Sequence, residues 1–99
     1  MAFKVTWTPH AEEDYKKVIT YLKDTWTEKI ALQFINKVEQ RLSRLSIFPL
    51  TGIVSNKDTS IRCIVITKHN KLYYRLKNDT IEILSLFDTR QNPNKNSYE

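Results

Sequence analysis

Three runs rich in apolar and β-branched residues, about Ile61 to Thr67, Lys71 to Lys77 and Ile81 to Asp88, are separated by short polar gaps centred on His69-Asn70 and Asn78-Asp79. Connections this short cannot hold a crossover, so consecutive strands must lie side by side and antiparallel. The end of the chain is therefore a three-stranded meander, and the residues before it must cover one face of that sheet.

The upstream pattern supplies the cover. Phe3-Lys4-Val5-Thr6-Trp7 alternates apolar and polar side chains, the period of a strand with one buried face. Thr8-Pro9 then signals a helix start, since a Thr hydroxyl caps free N–H groups and Pro is tolerated at the first helical position. Ala11, Tyr15, Val18, Ile19 and Leu22 form one apolar stripe. After a break at Asp24-Thr25-Trp26 and a second cap at Thr27, Ala31, Phe34, Ile35, Val38, Leu42 and Leu45 form another. Two amphipathic helices joined so tightly make an antiparallel hairpin. Phe48-Pro49-Leu50-Thr51-Gly52 ends it, with Pro49 unable to continue a helix and the chain's only glycine, Gly52, free to take positive φ. Residues 53–60 read as a loop. The expected fold is α+β, in the order β-αα-βββ, with the helices packed on one face of a mostly antiparallel sheet. It forms one domain over residues 1–92, followed by a mobile tail over 93–99 that has no periodicity.

Ninety-nine residues at 40% apolar content suffice for one core. No stretch approaches the length of a membrane span and the N-terminus has no signal-like apolar core, so a soluble cytoplasmic protein is expected, with no membrane association. Cys63 sits among Ile61, Ile64, Val65 and Ile66 and reads as a small core hydrophobe. His10 and His69 are far apart, no Cys-x-x-Cys occurs, and no glycine loop could cradle phosphate, so no metal and no cofactor is expected. His69 reads as a turn residue facing solvent.

The charge is one-sided. Ile61 to Asn78 carries Arg62, Lys68, Lys71, Arg75 and Lys77 without an Asp or Glu, and the whole chain has a net charge of +5. Strand alternation puts Leu72, Tyr74 and Leu76 toward the helices and Lys71, Tyr73, Arg75 and Lys77 on the open face. Cations interleaved with aromatic rings suit nucleic acid, and a basic face equally suits an acidic protein segment. RNA cleavage by its own 2′-hydroxyl needs a base, an acid and charge stabilisation at phosphorus, but no metal. Arg62, Lys71, Arg75 and Arg90, with Lys57 and Tyr98 near them, are candidates for that work, and Tyr or Lys serves as base only if neighbouring cations lower its pKa. The bland alternatives are a solubilising sheet face for Arg75 and Lys77, and an ion pair with Asp88 or Asp58 for Arg90. Leu50, Ile53 and Val54 are apolar residues in a loop, either folded over the core or marking a docking groove.

Taken together, Val5-x-Trp7-Thr8-x-x-Ala11-x-x-Asp14, Leu45-x-x-x-Pro49-x-x-Gly52, Ile61-Arg62, Leu72-Tyr73-Tyr74-Arg75-Leu76 and Ile81-x-Ile83-Leu84-x-Leu86-Phe87-Asp88-x-Arg90 resemble the RelE/ParE superfamily of bacterial type II toxins over nearly the whole chain. The resemblance implies a growth-inhibiting toxin neutralised by a cognate antitoxin with an extended, acidic or amphipathic C-terminal segment. It implies antitoxin contacts at Leu50, Ile53, Val54, Tyr73, Arg75 and Lys77. The superfamily divides into inhibitors of DNA gyrase and ribosome-dependent mRNA endoribonucleases. In the ribonuclease branch Arg62, Lys71, Arg75, Arg90 and Tyr98 match the catalytic positions. The Pro/Asn-rich tail and the absence of a His beside Tyr98 tilt the reading toward gyrase. A binding-only homologue without toxicity is the third reading.

Overall fold

The computed structural model describes residues 2–90 together with Asn96 and Tyr98. Strand β1 (Lys4–Trp7) is followed by helices α1 (Pro9–Thr25) and α2 (Glu28–Ile47), and then by β2 (Ile53–Val54), β3 (Ile61–Thr67), β4 (Asn70–Lys77) and β5 (Thr80–Asp88). The meander and the helix hairpin are as the sequence implies, but the sheet has five strands in the order β1-β5-β4-β3-β2. β1 runs parallel to β5, while the other pairs are antiparallel. The extra strand is Ile53–Val54, expected as loop, which pairs with Cys63 and Arg62. Two residues are too few for alternation to register in a sequence.

Both caps form where expected. Thr8 Oγ1 accepts from the Ala11 N–H at 3.2 Å, and Thr27 Oγ1 from the Ile30 N–H at 3.1 Å. The α1–α2 break falls at Trp26-Thr27, so Asp24 and Thr25 stay helical. Phe34, Val38, Leu42 and Leu45 of α2 bury against Leu72, Tyr74, Ile81, Ile83 and Leu86 of the sheet, with Ala11 of α1 completing the contact; Ala31 is buried as well. Trp7 stacks on Tyr15 at 4.9 Å and belongs to the core margin, whereas Trp26 is exposed at the hairpin tip. Among the described residues no helix is long and apolar enough to cross a membrane.

β1 ends at Trp7, but β5 runs on beyond its partner Ile83 to Asp88. The carboxylate of Asp14, one helical turn past Ala11, serves that bare edge. Its Oδ2 accepts from the Leu86 N–H at 3.1 Å and from Ser85 Oγ at 3.0 Å, and lies 3.3 Å from His10 Nε2. A helical side chain thus takes over the hydrogen bonding of a missing strand, which fixes α1 along the sheet margin.

The turn at Asn78-Asp79 contains Asn78 at φ 59°. Asn tolerates this left-handed conformation better than most residues. Gly52, by contrast, does not take the positive φ expected of it. It is needed for space: a Cβ there would stand 2.5 Å from the Tyr74 hydroxyl and 3.0 Å from Cβ of Arg62. That hydroxyl donates to Pro49 O at 2.7 Å and accepts from the Gly52 N–H at 3.0 Å, closing the α2–β2 connection against β4. Tyr74→Phe leaves both backbone groups without a partner and is expected to cost about 1–3 kcal/mol in denaturant unfolding. Gly52→Ala is expected to destabilise the fold too, because its methyl group displaces the same hydroxyl.

Candidate functional site

Directly paired residues in neighbouring strands share a face. Arg62 pairs with Tyr74, which packs on the helices, so Arg62 lies on the helix side. Its Nη1 donates to the carbonyls of Gly52 at 2.9 Å and Leu50 at 3.3 Å. This guanidinium holds the α2–β2 connector and is not part of the open basic face. On β4, alternation places Lys71, Tyr73, Arg75 and Lys77 on the face away from the helices, as expected. Arg75 is engaged there, its Nε 2.7 Å from Glu82 Oε1 on β5.

Tyr73 departs from expectation. Placed on an open face by alternation, it is fully buried. The ring of Tyr98 stacks on it with centroids 4.9 Å apart and planes 26° from parallel, and Asn96 Nδ2 donates to its hydroxyl at 2.9 Å. The segment carrying these residues was expected to be mobile; residues 93–95, 97 and 99 of it lie outside the described residues, and the two described residues are packed. Asn96 Oδ1 accepts from the Tyr98 N–H at 2.9 Å, Lys57 Nζ donates to Asn96 O at 3.3 Å, and Ser55 Oγ donates to Tyr98 O. Burial chiefly, and the charge of Asp14 next, push the Tyr98 hydroxyl up from its ordinary pKa, with Arg75 opposing. A ring prepared as a general base would need the opposite shift.

Arg90 sits elsewhere. Its Nε and Nη2 contact the two oxygens of Asp88 at 3.0 and 2.9 Å, and its guanidinium carbon lies 6.0 Å from the centre of the Tyr21 ring on α1. The ion pair therefore forms with Asp88, one of the two alternatives open from sequence. These hydrogen bonds hold the Asp88 carboxyl below the usual carboxylate range. Arg90 borders a groove of about 630 Å³ lined also by Tyr21, Trp26, Phe34, His69 and Asn70, which sequence periodicity gave no means of finding.

The five proposed catalytic residues are therefore not brought together. Lys71, Arg75 and Tyr98 belong to the covered sheet face, Arg62 to the helix side and Arg90 to the α1 margin. The apolar loop residues are not folded over the core: Ile53 is 77% exposed, Leu50 63% and Val54 39%, and Ile47 and Phe48, at the end of α2, are exposed too. A second hollow, lined by Arg41, Ile53, Val54, Cys63, Val65 and Lys71, lies along β2 and β3. Sequence reasoning missed Ser55 and Asn96, and named Asp14 only as a motif position without its role at the sheet margin. Each acts through a hydrogen bond to a residue distant in sequence, which no local pattern encodes.

A family model described as "ParE toxin of type II toxin-antitoxin system, parDE" matches residues 5–93. The chain belongs to this family of type II toxins. No curated protein matches it by sequence. Among solved structures, the chromosomal ParDE toxin–antitoxin system from P. aeruginosa is similar at TM-score 0.75 and 15% identity, over 90% of this chain and 98% of that one. The YoeB dimer from Staphylococcus aureus follows at TM-score 0.63 and 18% identity, over 88% and 97% of the two chains. A YoeB/ParE toxin from Agrobacterium tumefaciens gives 0.63 and 15%, over 86% and 96%. At these identities the structural likeness concerns the fold.

Because the Arg90–Asp88 pair is half-exposed, Arg90→Ala is expected to lower stability by no more than about 1 kcal/mol at neutral pH. The sign follows from Asp88: its depressed pKa contributes stability above the ordinary carboxylate range, and this is lost as pH falls through the folded-state value. Unfolding curves of wild type and Arg90→Ala should therefore converge in acid.

Proposed function

We propose that this toxin arrests growth by binding and inhibiting an essential target, DNA gyrase in preference to mRNA on the ribosome, and that a cognate antitoxin neutralises it. The observation that carries the choice of target is the dispersal of the cations. In-line attack on phosphorus gains from cations and a base converging on one centre. Here Arg62 donates to two carbonyls of the α2–β2 connector, and Arg90 and Arg75 are occupied by Asp88 and Glu82. The Tyr98 hydroxyl is shifted away from the range of a base.

For the antitoxin, the support is a surface of matching chemistry together with the similarity to a ParDE pair. Exposed Leu50, Ile53 and Val54 offer apolar anchorage, and Arg75 and Lys77 lie on the basic strand β4, suiting a segment that alternates apolar and acidic side chains. Tyr73 takes part in such a contact only once Tyr98 has left it.

The second reading, a metal-independent endoribonuclease, draws on one feature: Lys71, Arg75 and Tyr98 belong to the same face of the sheet, and Arg75 acts electrostatically on the Tyr98 hydroxyl. In that case Arg75→Ala should lower message cleavage by ~10²-fold or more, through lost stabilisation of developing charge.

Inducible expression in bacteria without an antitoxin separates the readings when growth, transcript integrity and plasmid supercoiling are followed in the same cultures. The expected result is growth arrest with lost supercoiling and intact transcripts. Early transcript cleavage would select the ribonuclease, and unimpaired growth at confirmed soluble expression would leave a protein that only binds.

A further inference from the structure

We propose that Ser55, Lys57 and Tyr73 form a peptide-binding seat on the sheet face, self-occupied here by Asn96 and Tyr98, that a partner segment bearing a carboxamide two residues before an aromatic ring can take over. The occupant reveals what the seat recognises. The Asn96 side chain, 5% exposed, is used at both ends: its amide donates to the Tyr73 hydroxyl and its oxygen accepts from the Tyr98 N–H. The ring two residues on lies flat on Tyr73. Two main-chain carbonyls of the occupant are also held, that of Asn96 by Lys57 and that of Tyr98 by Ser55, which is 6% exposed.

Main-chain carbonyls and a carboxamide are features of a peptide. A nucleotide could use the Tyr73 ring and the Lys57 charge, but at the Tyr98 hydroxyl the carboxylate of Asp14 outweighs the opposing charge of Arg75, which gives phosphate no net attraction there. The seat therefore favours a peptide over a nucleic acid.

Tethering sets the terms of exchange. A segment on a short linker is present at an effective concentration on the order of millimolar, so a free peptide that uses only this seat cannot displace it at micromolar levels. A partner succeeds by holding a neighbouring surface as well. The exposed Ile53–Val54 strand, which leads directly to Ser55, is the adjoining one. That the partner is the antitoxin rests on the reading above; the seat itself does not.

The probe is a fluorescent nonapeptide with the sequence of residues 91–99, titrated by anisotropy into the full-length protein. The expected result is binding to the Asn96→Ala/Tyr98→Ala double variant, at least about tenfold tighter than to wild type, whose own tail blocks the seat. Adding Lys57→Ala or Ser55→Ala to the double variant should weaken that binding again, and both are milder than a change at buried Tyr73. Equal binding to wild type and double variant, no binding to either, or a gain unaffected by Lys57→Ala and Ser55→Ala would overturn the proposal. So would a single-stranded RNA decamer that binds the double variant while the peptide does not. Because no readout involves growth, failure of the seat and failure of the toxin reading are distinguishable.

Discussion

The Tyr74 hydroxyl is the interaction on which the layout of the surface depends. By donating to Pro49 O and accepting from the Gly52 N–H, it fixes the point at which the chain leaves α2 and re-enters the sheet. Arg62 completes the clamp by binding the carbonyls on the same stretch. Only with the connector held there can Ile53–Val54 pair with β3 and lead Ser55 and Lys57 to the carbonyls of Tyr98 and Asn96. One buried phenol thus links the helical layer, the edge strand and the far face of the sheet. Its own pKa is raised, mainly by burial, so the hydroxyl stays protonated and remains a donor.

A similar economy holds at the opposite margin, where the Asp14 carboxylate replaces the hydrogen bonds that β1 stops supplying. The two ends of the sheet are thus finished by side-chain to backbone hydrogen bonds, from Asp14 of α1 at one margin and from Tyr74 and Arg62 of the sheet to the connector at the other. What remains for contact with other molecules is the apolar rim at Leu50 and Ile53, the groove beside Arg90, and a sheet face partly filled by the chain's own Asn96 and Tyr98. Arg62, Arg75 and Arg90 are each engaged by groups of the same chain, while the molecule keeps a net charge of +5.

The sequence made the architecture largely legible because it is carried by periodicity. The stripes of α1 and α2, the Thr8 and Thr27 caps and the alternation of β4 are local signals of strong physical origin. The two-residue strand β2 was illegible because pairing with β3, not its own pattern, creates it. Gly52 was flagged correctly as special but for the wrong reason, since crowding by Tyr74 leaves no mark on the neighbouring residues. The site was less legible than the fold. Alternation assigned Tyr73 to the correct face yet could not show that Tyr98 would cover it, and composition could not show that Arg62 and Arg90 would be occupied by groups of the same chain.

Whether the proposed toxin occupies a target or cuts RNA is decided by gyrase-catalysed supercoiling of a relaxed plasmid with purified protein titrated in. Inhibition of gyrase by target occupation is expected to saturate with protein and to be relieved by the cognate antitoxin. Undiminished supercoiling at a large excess of folded protein would contradict it.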